Sequence, residues 1–142
     1  MNPLSRLLWE MLMRHSGRVV NGINKQSHMI QSARLAEAAG KDERYIVMCL
    51  FHDIFGGVCP DYHGEIAALM LRPYIGETYA DILKYHAAYQ LDNWKGEAHD
   101  QNAAPEMIEF VDKFDFPAFD KAFVVSPRDQ AHFESMTRRV VC

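Results

Sequence analysis

The chain has 142 residues, 49% hydrophobic and 24% charged, with a formal net charge of −4. This is enough chain to bury a core, in the proportions of an ordinary globular protein, and the acidic balance argues against a basic surface that tracks nucleic acid. No stretch reaches the roughly 20 apolar residues of a spanning helix, and the opening segment Met1 to Arg6 lacks a signal peptide's apolar core, so a cytoplasmic protein with no membrane or nucleic-acid partner is expected.

Hydrophobic spacing predicts helices throughout, without strand alternation, and hence one all-α domain over residues 1–142 with its core in 24–116. Leu4, Leu7, Leu8, Met11 and Leu12 recur at three- and four-residue intervals and predict a helix over 3–15. A second is predicted over 24–39 and stops at Gly40. A third, capped by Asp42, carries Val47, Leu50 and Phe51 and ends near Gly56. Asp61 is a candidate cap for a fourth, through Ile66, Leu69 and Met70 to a stop at Pro73. The fifth follows Gly76 and carries Tyr79, Ile82, Leu83 and His86, and the polar stretch from Asp92 to Asn102 reads as a loop. Pro105 opens a sixth that ends before Pro117. Ser126-Pro127-Arg128-Asp129 has the form of a capping box before a last short helix.

Histidines and carboxylates fall on the apolar sides of these helices. His52-Asp53 ends the run from Tyr45 to Phe51; His28 precedes it, on a stripe with Leu35, Ala36 and Ala39; His63 and His86 follow; Asp115 lies at helical spacing from Ile108 and Val111, with Asp112 as its rival. Unpaired carboxylates on a core stripe are costly, and a cation removes the cost. Imidazole and carboxylate without thiolate suit iron or manganese. Neighbours on a helix, His52 and Asp53 can serve one centre, or Asp53 can bridge two. The three cysteines lack CxxC spacing, and Cys49 is expected in the core. His15, His99 and His132 have no comparable partners and are expected at the surface or beside a substrate.

At these residues the chain resembles the HD-domain superfamily, in the subset whose ordered pattern H…HD…H…H…D holds two metals. The resemblance runs from Lys25 to Val140 and rests on His28-Met29-Ile30-Gln31-Ser32-Ala33, Phe51-His52-Asp53-Ile54, His63-Gly64-Glu65-Ile66-Ala67-Ala68, Tyr85-His86 and the segment from Phe110 to Asp115. The first of these is similar to the H-x-x-Q-[ST]-A of the HD-domain diiron oxygenases, a group that includes phosphonate-cleaving oxygenases and, more distantly, myo-inositol oxygenase. Leu71-Arg72-Pro73-Tyr74 is also similar to relatives of that group, as is Phe119-Asp120 followed by a cap that contains Pro127.

The resemblance implies two iron ions (Fe2+/Fe3+), with manganese or another divalent metal as the substitute. One would take His28, His52, Asp53 and Asp115, the other His63 and His86, with Asp53 bridging, and Asp53, His63 and His86 nearest the chemistry. It implies an oxygenase that uses O2 to cleave a small hydroxylated substrate such as a hydroxyphosphonate or a polyol. The alternative, with the same ligands, is a metal-dependent phosphohydrolase acting on a nucleotide or small phosphoester, in which metal-activated water attacks phosphorus. Lys25, Arg72 and Lys84 are the cations available to an anionic substrate in either case.

Overall fold

The computed structural model describes residues 2–15, 19–20, 22–93 and 104–142. The all-α expectation holds: among the described residues, seven α-helices surround a common apolar core, and extended backbone is confined to one two-residue antiparallel pair.

Helix α1 spans Pro3–Arg14. Asn2 caps it, accepting the Leu4 N–H at 2.7 Å, and Pro3 sits where its missing N–H costs nothing. Leu8, Trp9 and Leu12 are buried, while Leu7 faces water. Strands β1 (Val19–Val20) and β2 (Ile23–Asn24) pair with Val19 opposite Asn24 and Val20 opposite Ile23. Gly22 in the connecting turn has φ +82°, the left-handed region that glycine enters without penalty. This hairpin was not expected, because two-residue strands are too short to show alternation. Asn24 ends it and caps α2 (Lys25–Ala38), accepting the Ser27 N–H at 2.7 Å.

The first half of α2 is enclosed on all sides, from Gln26 to Ala33, and the second half emerges to the surface. The expected stripe of His28 with Leu35 and Ala39 therefore breaks: Ala36 is buried, but Leu35 and Ala39 are exposed. Helix α3 (Glu43–Phe51) is capped by Asp42 through the Tyr45 N–H. Every residue from Tyr45 to Phe51 is buried, as a helix apolar on all faces must be, and it packs on α2, α4, α5 and α7. It stops at Phe51 rather than near Gly56. Beyond it the chain tightens into turns with three-residue hydrogen bonds, Ile54 N–H to Phe51 and Gly56 N–H to Asp53.

A 3-10 turn, Pro60–Tyr62, leads directly into α4 (His63–Ile75). Asp61 lies within that turn, and no side chain caps α4. The helix also runs two residues past Pro73; so near the end, the proline forfeits only the bond to the Leu69 carbonyl, and Leu69 is on the solvent side. Gly76, at φ +89°, turns the chain into α5 (Glu77–Asn93), which takes the first two residues of the expected loop; 94–103 lie outside the described residues. Helix α6 (Pro105–Phe110) widens into a π-turn, Val111–Asp115, closed by the Phe116 N–H on the Val111 carbonyl at 2.9 Å. The capping box of Ser126 and Asp129 forms as expected, but the helix it opens, α7 (Pro127–Val140), is long, with Phe133, Met136 and Thr137 in the core.

Candidate metal centre

Five separate elements deliver side chains to one buried place. His28 comes from the first turn of α2, His52 from the C-cap of α3 with Asp53 just beyond, His63 from the first residue of α4, His86 from α5, and Asp115 from the end of the π-turn. All but His86 are at or near helix ends, where the backbone can depart from a single helical face. His28, His52, His86 and Asp115 are almost fully buried; Asp53 and His63 are the most accessible members, at 11% and 15% side-chain exposure.

The four imidazoles are oriented in the same way. Each Nδ1 faces a backbone carbonyl: His28 on Ala118 at 2.9 Å, His52 on Cys49 at 2.6 Å, His63 on Pro60 at 2.8 Å and His86 on Leu83 at 2.6 Å. A carbonyl only accepts, so each Nδ1 carries a hydrogen and each Nε2, in the neutral imidazole, turns a lone pair inward. The Nε2 atoms meet in two pairs, His28 with His52 at 3.0 Å and His63 with His86 at 3.1 Å. Two nitrogens about 2.1 Å from one ion and at right angles would be about 3.0 Å apart.

Asp53 divides between the two pairs. Its Oδ2 lies 3.4 Å from His28 Nε2 and 3.3 Å from His52 Nε2, and its Oδ1 lies 3.2 Å from His63 Nε2 and 3.4 Å from His86 Nε2. Asp115 Oδ1 joins the first pair, 3.0 Å from His28 and 3.3 Å from His52. Asp115, not its rival Asp112, is thus the residue in the cluster. Two groups result, each able to hold a metal ion: His28, His52, Asp53 and Asp115, and Asp53, His63 and His86.

The electrostatics fit a cation. Burial lowers the His52 pKa, but Asp53 and Asp115 outweigh it and push it up to about 10. Burial opposes His28 and His63 in the same way, and the carboxylates still raise both. Against their own burial, Asp53 and Asp115 are held well below the usual carboxylate range, chiefly by His52 and His28. Without metal, protons supply the positive charge that these buried carboxylates require. The donors are all nitrogen and oxygen, a set for iron, manganese or zinc. Cys49 is fully buried in α3, outside both groups, and burial pushes its thiol pKa up.

Other residues shape the place. Lys25 Nζ donates to Asp53 Oδ2 at 3.1 Å, on the accessible side of the cluster. The other two cations named from sequence are engaged elsewhere: Arg72 with Glu77 and Asp81, and Lys84 over the Tyr85 ring at 5.1 Å. Phe119 stacks on His28 with centroids 4.1 Å apart, and Phe110 sets its edge against His52 and His86. Gly64 allows α4 to approach α5, since a Cβ there would meet the Leu83 carbonyl oxygen at 2.4 Å and His86 Nδ1 at 3.3 Å. Sequence reasoning missed the roles of Phe110, Phe119 and Gly64, although all three stand in segments that carry the resemblance. His15 is buried, contrary to expectation, with Nε2 3.0 Å from the Ile54 carbonyl. His132 is at the surface beside Glu37, and His99 lies outside the described residues.

No family model matches the chain. Over 77 residues the chain is 34% identical to [1-hydroxy-2-(trimethylamino)ethyl]phosphonate dioxygenase (glycine-betaine-forming) of Leisingera caerulea, a match covering 46% of the chain and 39% of that relative. The chain thus spans about two fifths of the relative's length. Among the described residues no helix is long and apolar enough to cross a membrane. The helical bundle carries a His/Asp cluster able to hold metal, and the relative it resembles over that match is a dioxygenase.

Proposed function

We propose that this chain is an HD-domain oxygenase that holds two irons and uses O2 to cleave a small hydroxylated substrate, such as a hydroxyphosphonate or a polyol. The observation that carries the reading is the division of Asp53, with one oxygen toward His28 and His52 and the other toward His63 and His86. One iron would take His28, His52, Asp53 and Asp115, the other His63, His86 and Asp53. What favours oxygen chemistry over phosphoester hydrolysis is the dioxygenase relative, which is named for a hydroxyphosphonate substrate.

Bound iron supplies the redox capacity to reduce O2 and an acidic site for substrate hydroxyl oxygens. The chain's own residues do the rest. The carbonyls of Ala118, Cys49, Pro60 and Leu83 fix the imidazoles in one tautomer and orientation. Phe110 and Phe119 wall the rings off from water. The His63–His86 side has three protein donors against four, which leaves more room for a substrate, and it adjoins the accessible edge of the cluster. Lys25, whose ammonium meets the Asp53 oxygen that faces His28 and His52, is the cation placed to meet an anionic group once metal has taken over the charge of Asp53.

The test is O2 uptake by iron-loaded protein with a panel of hydroxyphosphonates and polyols, beside phosphate release from nucleotides and phosphomonoesters under anaerobic conditions. Uptake that depends on one member of the first panel is expected. Phosphate release at equal rates with and without O2, and no uptake with any diol or phosphonate, would replace the oxygenase by a phosphohydrolase.

A further inference from the structure

The segment from Phe116 to Ser126 joins the π-turn to α7 without helix or strand, yet it makes two contacts with a single candidate ligand. The Ala118 carbonyl accepts from His28 Nδ1 at 2.9 Å, and the Phe119 ring lies nearly parallel to the His28 imidazole, 16° away at 4.1 Å. A loop of this kind sets a ring only as well as it is itself held.

Gln31 holds it. One turn along α2 from His28, its side-chain amide pairs with the backbone of one residue in both senses: Nε2 donates to the Asp120 carbonyl at 3.0 Å, and Oε1 accepts from the Asp120 N–H at 2.9 Å. The carboxamide takes the place of a neighbouring strand. It is buried, and its second N–H is spent on Ser27 Oγ at 3.0 Å, which fixes the rotamer. Residues i and i+3 share a helix face, so the pair His28 and Gln31 reads two successive stretches of one loop: Gln31 anchors residue 120, and residues 118 and 119 close on His28.

We infer that Gln31 is a positioning residue for one of the two metals. By clamping Asp120 it sets the Ala118 carbonyl and the Phe119 ring, and through them the direction of the His28 Nε2 lone pair. The inference rests on the metal-binding reading and adds a selectivity that burial alone would not produce. Loss of the clamp weakens the ion held by His28, His52 and Asp115 and leaves the ion held by His63 and His86 in place, because residues 118 and 119 of the loop act on His28, whereas the carbonyls of Pro60 and Leu83 orient His63 and His86. Loss of an outer hydrogen-bond partner to a metal-bound histidine typically costs about 10- to 100-fold in affinity.

The experiment is a calorimetric titration of chelator-stripped protein with Co2+, in the wild type, Gln31→Met and Gln31→Asn. Methionine keeps the length and removes both hydrogen bonds; asparagine keeps the amide but is one methylene short. The wild type should show two binding steps. Q31M should lose about 10- to 100-fold in one step with the other unchanged, and Q31N should lose less, in the same step. His28→Ala identifies that step by abolishing it. Unchanged affinities in Q31M, or equal losses in both steps, would overturn the inference and reduce Gln31 to a residue of general stability. If Q31M does not fold, Q31N decides by the same criterion. Absence of Co2+ binding in the wild type would instead sink the metal reading itself.

Discussion

Asp53 is the residue on which the centre turns, because its two oxygens face different histidine pairs. Replacing Asp53 by alanine should therefore remove both metals, or nearly so, by metal analysis of purified protein; two tightly held metals per chain in that variant would show that it is not a bridge. His63→Ala and His86→Ala should each empty one position and spare the other. The six cluster residues were legible in the sequence because polar side chains on apolar helical faces demand an explanation, and their order along the chain matched a known pattern. Their supports were not. The carbonyl that orients His28 is 90 positions away, at Ala118, and Phe119 sits in a stretch with no periodicity to read. Lys25 was named as a substrate cation, but only the fold shows its ammonium on the carboxylate of Asp53.

Helix positions were readable wherever local chemistry sets them, as with the caps at Asp42 and Ser126. They were misjudged where tertiary packing overrides the local signal, as at Pro73, which α4 passes through, and at Asp61, which forms part of a 3-10 turn. The π-turn before Phe116 leaves no mark in hydrophobic spacing, and wide turns of this kind are frequent at functional sites. The contact of α4 with α5 gives a sharp test. Gly64→Ala drives a methyl group into the Leu83 carbonyl and should cost about 1–3 kcal/mol in denaturant unfolding, the usual penalty for overpacking, together with weaker metal binding at His63 and His86. The start of α7 offers another. Ser126→Ala removes the cap and should cost about 1 kcal/mol. Asp129 in the same box is pushed up by its burial, but Ser126 and the Arg34 guanidinium outweigh that and hold its pKa low. A depressed carboxylate stabilises the fold above its unfolded pKa of about 3.9 and loses that contribution as pH falls through the lower folded value. Asp129→Asn should accordingly flatten the acid limb of the stability profile measured by thermal melts.

Taken as a whole the bundle closes around a polar centre, so its stability is tied to what occupies that centre. Metal bound at about a thousandfold over its Kd adds about 4 kcal/mol, and at roughly 2–4 °C per kcal/mol for a chain of this size a chelator should lower the melting temperature by about 10 °C. An unchanged melt after verified metal removal would place the site at the surface. The two forms should also differ in their response to pH. In metal-free protein His52 has a folded pKa of about 10 against an unfolded value of about 6.5; a raised histidine stabilises fully below the unfolded value and is lost as pH rises through the folded one, so this form should weaken in alkali. Metal-loaded protein should weaken in acid, where protons displace the metal from imidazole and carboxylate. The most direct measurement is anomalous diffraction from crystals grown with Fe2+ or Mn2+. Two peaks about 3.5–4 Å apart should flank the Asp53 carboxylate, one against His28, His52 and Asp115 and the other against His63 and His86; a single peak, or none within the cluster at saturating metal, would contradict the two-metal centre.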